Sequence, residues 1–150
     1  GKPIVIRNPR SIRPWQHVLE PLSGYLRLAE KLWHEPNQFA EGWNFGPESS
    51  DARQVDWIAD RIVGLWGDGA RWELVPLSEP QPHEAHYLKL DCSMAHAHLA
   101  WQPSLRLDQT LQWVVDWYKR VNQGESALGV TLEQIARYEG LLDAGRAAGK

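Results

Sequence analysis

The sequence predicts a helix-rich domain of the α+β or α/β class with a few short strands. Its 150 residues suffice for one domain with a real hydrophobic core. Apolar residues make up 43% and charged residues 23%, the balance of a folded chain rather than a disordered one. Helical periodicity dominates, whereas the candidate strands are short scattered runs without a strand–helix–strand rhythm. Such strands read as an appendage to a sheet rather than a whole one.

Taken in order, Ile4-Val5-Ile6 is a β-branched run closed by Arg7-Asn8-Pro9, hence a strand and a turn. Asn8-Pro9 and Arg13-Pro14 bracket a loop, because the residue before a proline is pushed out of the helical region. Pro21 opens a helix from about residue 17 or 21 to 33, with Leu22, Leu26, Ala29 and Leu32 or Trp33 on its inner face. Pro36-Asn37 ends it, and Trp43-Asn44-Phe45-Gly46-Pro47 is a brief aromatic strand stopped by Gly-Pro. Ser49-Ser50-Asp51 supplies caps for a helix over about 51–66 that buries Val55, Ile58, Ala59, Ile62 and Leu65 or Trp66. Gly67-Asp68-Gly69 stops it. Trp72 to Val75 alternates as a strand, Ser78 to Pro82 is a proline-punctuated loop, and Tyr87 to Leu90 is a further short strand. Asp91 or Ser93 caps a short helix ending near Ala100. The strongest helix spans about 108–121, with Leu111, Val114, Val115 and Tyr118 inward and Trp113 and Trp117 on the flank. Thr131-Leu132-Glu133-Gln134 caps a last helix, whose end from Ala144 to Lys150 is expected to fray.

Composition narrows the partners. Sixteen Lys and Arg against nineteen Asp and Glu leave a net charge of −3, which argues against nucleic acid or an anionic membrane surface. No apolar run approaches the ~20 residues that cross a bilayer. The single cysteine, Cys92, excludes an internal disulfide and Cys-rich zinc modules, and it fits a reducing compartment, so the cytoplasm is the expected location. The start at Gly1 rather than Met, with an apolar run too short for a signal peptide before Arg7, points to a piece of something longer. Nine tryptophans against two phenylalanines assign large flat side chains to the interior, with Trp57, Trp66 and Trp113 at core spacings.

No phosphate-cradling Gly-x-Gly-x-x-Gly or Gly-x-x-x-x-Gly-Lys is present, no Gly-x-Ser-x-Gly, and no tyrosine followed four residues later by lysine. Catalytic residues are therefore expected to be absent from the chain. His83, His86, His96 and His98 with Glu84 raise a metal reading. Two of them sit in a proline-ended loop and two point to opposite sides of a short helix, so ordinary surface or hydrogen-bonded histidines are expected and no metal. Ser11-Ile12-Arg13-Pro14-Trp15-Gln16-His17 places a guanidinium, an indole and an imidazole in one loop, where binding groups concentrate. An arginine there can clamp a phosphate with two parallel hydrogen bonds. Spacing alone favours a surface arginine stacked on Trp15.

The stretch from Pro3 to Trp15 resembles the start of the C-terminal, substrate-binding half of NAD-dependent nucleotide-sugar epimerases and dehydratases, the extended short-chain dehydrogenase/reductases. Arg13-Pro14-Trp15 stands where that family carries Arg-Asp-Trp or Arg-Asp-Tyr, with Pro14 where Asp is usual. Trp43-Asn44-Phe45-Gly46 is similar to its aromatic-Asn-aliphatic-Gly strand. Leu90 to Ala95 followed by Leu99-Ala100-Trp101-Gln102-Pro103 resembles its Asp-x-Ser-Lys-Ala…Leu-Gly-Trp-x-Pro signature. Within the superfamily, Ile6 to Tyr25, Pro82 to Ala85, Tyr87 to Asp91 and Thr131 to Ile135 are most similar to the CDP-glucose 4,6-dehydratases.

The resemblance implies that residues 1–150 form the C-terminal nucleotide-sugar-binding lobe of a Rossmann-type enzyme, with the N-terminal Rossmann NAD-binding domain absent from them. It implies NAD as the cofactor of the longer protein, CDP-glucose as the nucleotide-sugar substrate, a homo-oligomer, and a lyase reaction giving CDP-4-keto-6-deoxyglucose and water. The chain alone is then expected to be inactive. Arg13 would contact the pyrophosphate and Trp15 lie near it, Val5, Ile6 and Arg7 would border the cytosine, and Asn44 would lie near the phosphates. A second phosphate-binding arginine of the family has no counterpart before Tyr87, leaving His83, Glu84 or Tyr87 as substitutes. Two other readings stay open: an epimerase or dehydratase for another nucleotide, and a stand-alone binding or scaffold domain anchored by exposed tryptophans.

Overall fold

The computed structural model describes residues 1–75 and 85–148. Strand β1 (Ile4–Ile6) pairs in parallel with β4 (Trp72–Leu74), Ile4 opposite Trp72 and Ile6 opposite Leu74. Strand β2 (Ile12–Pro14) pairs antiparallel with β3 (Ala52–Gln54), Arg13 opposite Arg53, and on its other side Ile12 bridges in parallel to Tyr87. The helices are α1 (Leu19–His34), α2 (Pro36–Phe39), α3 (Val55–Trp66), α4 (Ser93–Leu99), α5 (Leu107–Asn122) and α6 (Ala127–Ala148). Helices therefore dominate and the strands are three residues each, as the sequence predicts.

Three apolar clusters hold these elements. Phe39, Phe45, Ala95, Leu99 and Trp101 pack with Leu28 and Leu32 of α1. Ile58 of α3 meets Leu107 and Leu111 of α5, with Trp15, Trp57, Ile62 and Leu65 around them. Leu105, Trp113 and Tyr138 join α5 to α6 and to Leu19 at the start of α1.

Helix α1 links the first cluster to the third through a polar hub. Glu20 is fully buried, and its carboxylate accepts the Ser104 N–H at 3.0 Å, the Leu105 N–H at 2.6 Å and the Tyr138 hydroxyl at 2.8 Å. Ser23, one turn on, donates to the Glu20 carbonyl at 2.7 Å and accepts the Trp101 indole N–H at 3.0 Å. Gly24 lets the helix lie against Phe45, because a Cβ there would sit 2.3 Å from the Phe45 ring.

That geometry overturns the expected inner face of α1. Of the expected row only Leu32 packs inward, against the first cluster; Leu22, Leu26 and Trp33 are exposed, Trp33 by 84%, Ala29 faces solvent too, and Glu20 and Gly24 are buried instead. The buried row is set by close backbone approach and by hydrogen bonding, which hydrophobic periodicity does not weigh. Other boundaries move for local reasons. Residues 12–14, expected as loop, form β2. The span 51–66 divides into a 3₁₀ turn (Ser49–Asp51), β3 and α3, and Ser50 and Asp51 accept the Arg106 guanidinium rather than capping a helix. The first amides of α3 go to loop carbonyls, Val55 N–H to Ser11 at 3.1 Å and Asp56 N–H to Pro9 at 3.0 Å. Residues 43–47 run extended without a strand partner, and the expected strand at 87–90 is a single bridge at Tyr87. On α5 it is Trp113 that is buried, while Tyr118 is 54% exposed. Helix α6 starts at Ala127, with the Ser126 hydroxyl accepting the Gly129 N–H at 3.3 Å, and it runs to Ala148. Thr131, expected as the cap, accepts the Trp117 indole N–H at 2.9 Å.

The expected loop from Ser78 to Pro82 lies outside the described residues, while two local expectations hold. Ile58 and Ala59 are buried on α3, and Gly67, Asp68 and Gly69 end it with three successive positive φ angles of 70°, 49° and 70°. Asp91 accepts the Ser93 N–H at 2.9 Å at the start of α4.

Replacing Glu20 isolates the value of the hub. Glu20→Ala leaves the Ser104 and Leu105 N–H groups without their acceptor, at about 1–3 kcal/mol each, while the Tyr138 hydroxyl keeps Ser23 Oγ at 3.1 Å, so chemical denaturation is expected to show a loss of at least about 2 kcal/mol. Burial raises the Glu20 pKa against the opposing pull of its three donors. A raised acid pKa in the folded state contributes stability that is complete below the unfolded value and lost as pH rises through the folded one. The wild type is therefore expected to lose stability relative to Glu20→Gln as pH rises from the acid range towards neutrality, measured by paired melts across pH.

Candidate functional site

The loop Arg13–His17 leaves β2 and enters α1, and each of its side chains is tied down. Arg13 is half-buried, and its Nη1 donates to the Ile12 carbonyl at 2.9 Å and the Ala85 carbonyl at 3.0 Å. Trp15 turns its ring into the cluster around Ile58, and its indole N–H donates to the Arg53 carbonyl at 3.0 Å. Gln16 donates to the Phe45 carbonyl at 2.8 Å. His17 is buried edge-on to Trp113, and its Nδ1 accepts the Leu19 N–H at 3.2 Å. An acceptor nitrogen carries no proton, and burial lowers the His17 pKa in the same direction.

These anchors fix a small cationic face. Arg53 is exposed, sits across the ladder from Arg13, and places its guanidinium 5.5 Å from the centre of the Trp57 ring. The bridge of Ile12 to Tyr87 puts Tyr87 on the Ile12 side of the strand, and alternation then leaves His86 and Leu88 on the Arg13 side.

The other candidates fall at varying distances from this face. Val5, 58% exposed, and buried Ile6 lie on β1 in the other small sheet, with exposed Arg7 after them. Asn44 is exposed and donates to the Asp91 carbonyl at 3.1 Å, joining two loops. His83 and Glu84 lie outside the described residues. His96 stacks on Trp101 with ring centres 6.3 Å apart, and His98 meets Trp43 edge-on at 6.4 Å. Among the described residues no group of three His, Cys, Asp or Glu side chains is placed to hold a metal ion.

Sequence reasoning missed Arg53 because it placed residues 51–66 in one helix, which gives Arg53 no cross-strand partner. It missed Glu20 because nothing local marks a carboxylate whose donors lie more than eighty residues away.

No family model matches the chain. It is 53% identical over 135 residues, 90% of its length, to a CDP-glucose 4,6-dehydratase from Salmonella typhimurium. The resemblance is to the CDP-glucose 4,6-dehydratases. A dTDP-glucose 4,6-dehydratase from Haemophilus influenzae is 29% identical over 128 residues, 79% of this chain. The chain spans 37% and 36% of the lengths of these two curated relatives. The segment with Arg13 and Trp15 is a braced loop rather than a free one.

Trp15 tests how far that bracing matters. Trp15→Ala removes a half-buried ring and its hydrogen bond, and a loss of about 3 kcal/mol is expected in urea unfolding, near the lower end for tryptophan truncation. Trp15→Phe keeps most of the packing, loses only the bond to the Arg53 carbonyl, and is expected to cost about 1 kcal/mol.

Proposed function

We propose that this chain is the nucleotide-sugar-binding part of an NAD-dependent CDP-glucose 4,6-dehydratase. The observation that carries the reading is 53% identity over 135 residues to a protein of that name. The same protein is longer, since this chain spans 37% of it, so the reaction is assigned to the longer polypeptide and not to these residues alone. The proposed overall change is CDP-glucose to CDP-4-keto-6-deoxyglucose plus water, a lyase reaction.

What these residues contribute is binding and orientation. Arg13 is the proposed clamp on the pyrophosphate, its head held by the Ile12 and Ala85 carbonyls so that little freedom is lost when an anion arrives. Trp15 acts behind it as a support, because its ring and N–H are both engaged. Val5, Ile6 and Arg7 are proposed for the cytosine end and Asn44 for a polar contact near the phosphates. The chain's residues do not fit NAD: the sequence has no glycine-rich turn opening a helix, and its glycines at positive φ, Gly67, Gly69 and Gly124, follow helices. That cofactor would be held elsewhere in the longer protein.

A partner domain is also supported by an apolar stripe. Val18, Leu22, Tyr25, Leu26, Ala29 and Trp33 follow helical spacing along the outer face of α1, and the five large ones are 44–84% exposed. Large exposed apolar patches mark interfaces. The proposed occupant is the remainder of the longer protein, which supplies the missing length. The dTDP-glucose relative keeps a second nucleotide open, and the ratio of CDP- to dTDP-glucose turnover decides it.

The full-length protein with NAD is expected to convert CDP-glucose to a 4-keto-6-deoxy product visible by NMR, and Arg13→Ala to raise KM about 10- to 100-fold, the value of a charge-assisted bond. Absence of product refutes the assignment, and an unchanged KM refutes the clamp. Residues 1–150 alone are expected to self-associate in sedimentation velocity through α1, and Leu26→Lys with Trp33→Lys to restore monomers. A monodisperse, cooperatively folded wild-type chain would favour the stand-alone binding domain instead.

A further inference from the structure

We propose that His17 is a positioning residue for the nucleotide sugar: its imidazole caps α1 and holds the Arg13–His17 loop only while uncharged, so acid loosens the binding loop. The inference rests on the nucleotide-binding reading above. Helices are ordinarily capped by Ser, Thr, Asp or Asn, whose side-chain oxygens accept an N–H of the first turn. Val18, the residue ahead of α1, has no such atom, and the Leu19 N–H is met instead by His17 Nδ1 at 3.2 Å. The His17 carbonyl accepts the Glu20 N–H at 3.0 Å, so one residue closes the loop onto the helix twice. A serine or asparagine there would cap whatever the pH, whereas an imidazole caps only in its neutral form.

Protonation turns this acceptor into a donor. Nδ1–H then opposes the Leu19 N–H, and a positive charge stands at the helix end where the macrodipole is already positive. The groups packed around His17 give a cation little support. Trp113 of α5 meets the imidazole edge-on with ring centres 5.7 Å apart, and the Arg137 guanidinium of α6 lies 4.4 Å from the centre of the same indole. Tyr138 of α6 stays neutral, because burial raises its pKa. Glu20, on α1 itself, already engages the Ser104 and Leu105 amides and the Tyr138 hydroxyl. Arg13, at the far end of the loop, adds positive charge. Burial lowers the His17 pKa from 6.5, so the cap is present above that value and lost as pH falls through the lower folded one. Glu20 has the opposite pH dependence, so ligand binding rather than bulk stability isolates His17. With Leu19 released, the loop loses its anchor at the helix, and Arg13 has to be ordered at a cost when the nucleotide arrives.

The test is isothermal titration of CDP-glucose into the full-length protein without added NAD, from about pH 8 to about pH 5, for wild type, His17→Asn and His17→Gln. CDP-glucose is the probe because both its phosphates are esterified and carry no proton that titrates in this range. Asn offers an oxygen close to where Nδ1 stands and does not titrate. The ratio of wild-type to Asn-variant Kd cancels the groups both proteins share, and it is expected to rise about fivefold towards the acid end, the worth of a helix cap. In the acid range wild type is expected to release protons on binding, read from the dependence of the heat on the buffer, and the Asn variant to release fewer. A level Kd ratio, or equal proton release by the two proteins, overturns the role of His17 and leaves the nucleotide-binding reading standing. Thermal melts at each pH accompany the titrations; should the Asn variant fail to fold, the Gln variant decides, and a wild-type Kd that does not rise in acid overturns the proposal without either. A wild type that binds no CDP-glucose at any pH overturns the nucleotide-binding reading and this inference with it.

Discussion

A single buried carboxylate links most of this fold. Glu20 has no exposed surface, and its donors come from two distant parts of the chain: the Ser104–Leu105 backbone ahead of α5 and the Tyr138 hydroxyl on α6. An unpaired buried charge is prohibitive, whereas one met by two amides and a hydroxyl is tolerated. The arrangement is also directional. A leucine at position 20 would add to the apolar core but accept nothing, and the amides of Ser104 and Leu105 would then be stranded. Specificity of register, rather than bulk burial, is what the carboxylate contributes here.

That constraint reaches the site because α1 begins where the Arg13–His17 loop ends. Fixing Glu20 fixes the first turn of α1, and His17, through the Leu19 N–H, ties the loop to the same turn. Ser23 extends the hub to Trp101, and Gly24 brings the helix down onto Phe45, whose carbonyl receives Gln16. The cationic face is thus a short ladder held at both ends by longer elements. Three-residue strands have little stability of their own. Here β2 and β3 are braced by the indole of Trp15 below and by loop carbonyls that satisfy the first amides of α3.

Much of this was legible in the sequence, and the failures share a cause. Helices α3 and α5 and strands β1 and β4 follow from local pattern because their inner faces are apolar and their partners similar. Gly67-Asp68-Gly69 declared itself through residues that tolerate positive φ. The inner face of α1 was misjudged because its most apolar row, Leu22 to Trp33, looks outward while a glutamate and a glycine look inward. Arg13 stands out as a candidate through the company it keeps in the loop, although spacing alone puts it on the surface against Trp15 and the fold instead ties it to the Ile12 and Ala85 carbonyls. Its partner Arg53 was not legible, because a cross-strand pair forty residues apart leaves no periodic trace, and three-residue strands give too short a run to alternate.

The outward row on α1 gains meaning from the same geometry. One helix carries a polar, tightly satisfied face inward and an apolar face outward, an inversion of what a surface helix shows. Under the proposed reading, the inner face sets where the diphosphate clamp stands and the outer face sets where the rest of the enzyme stands. Binding energy gained from the nucleotide, far from the reacting sugar, raises the rate only when it is converted into orientation of that sugar. A rigid connection between the two faces is the physical means of that conversion. Glu20, at the centre of the inner face and one turn from Arg13's loop, is where that rigidity is concentrated.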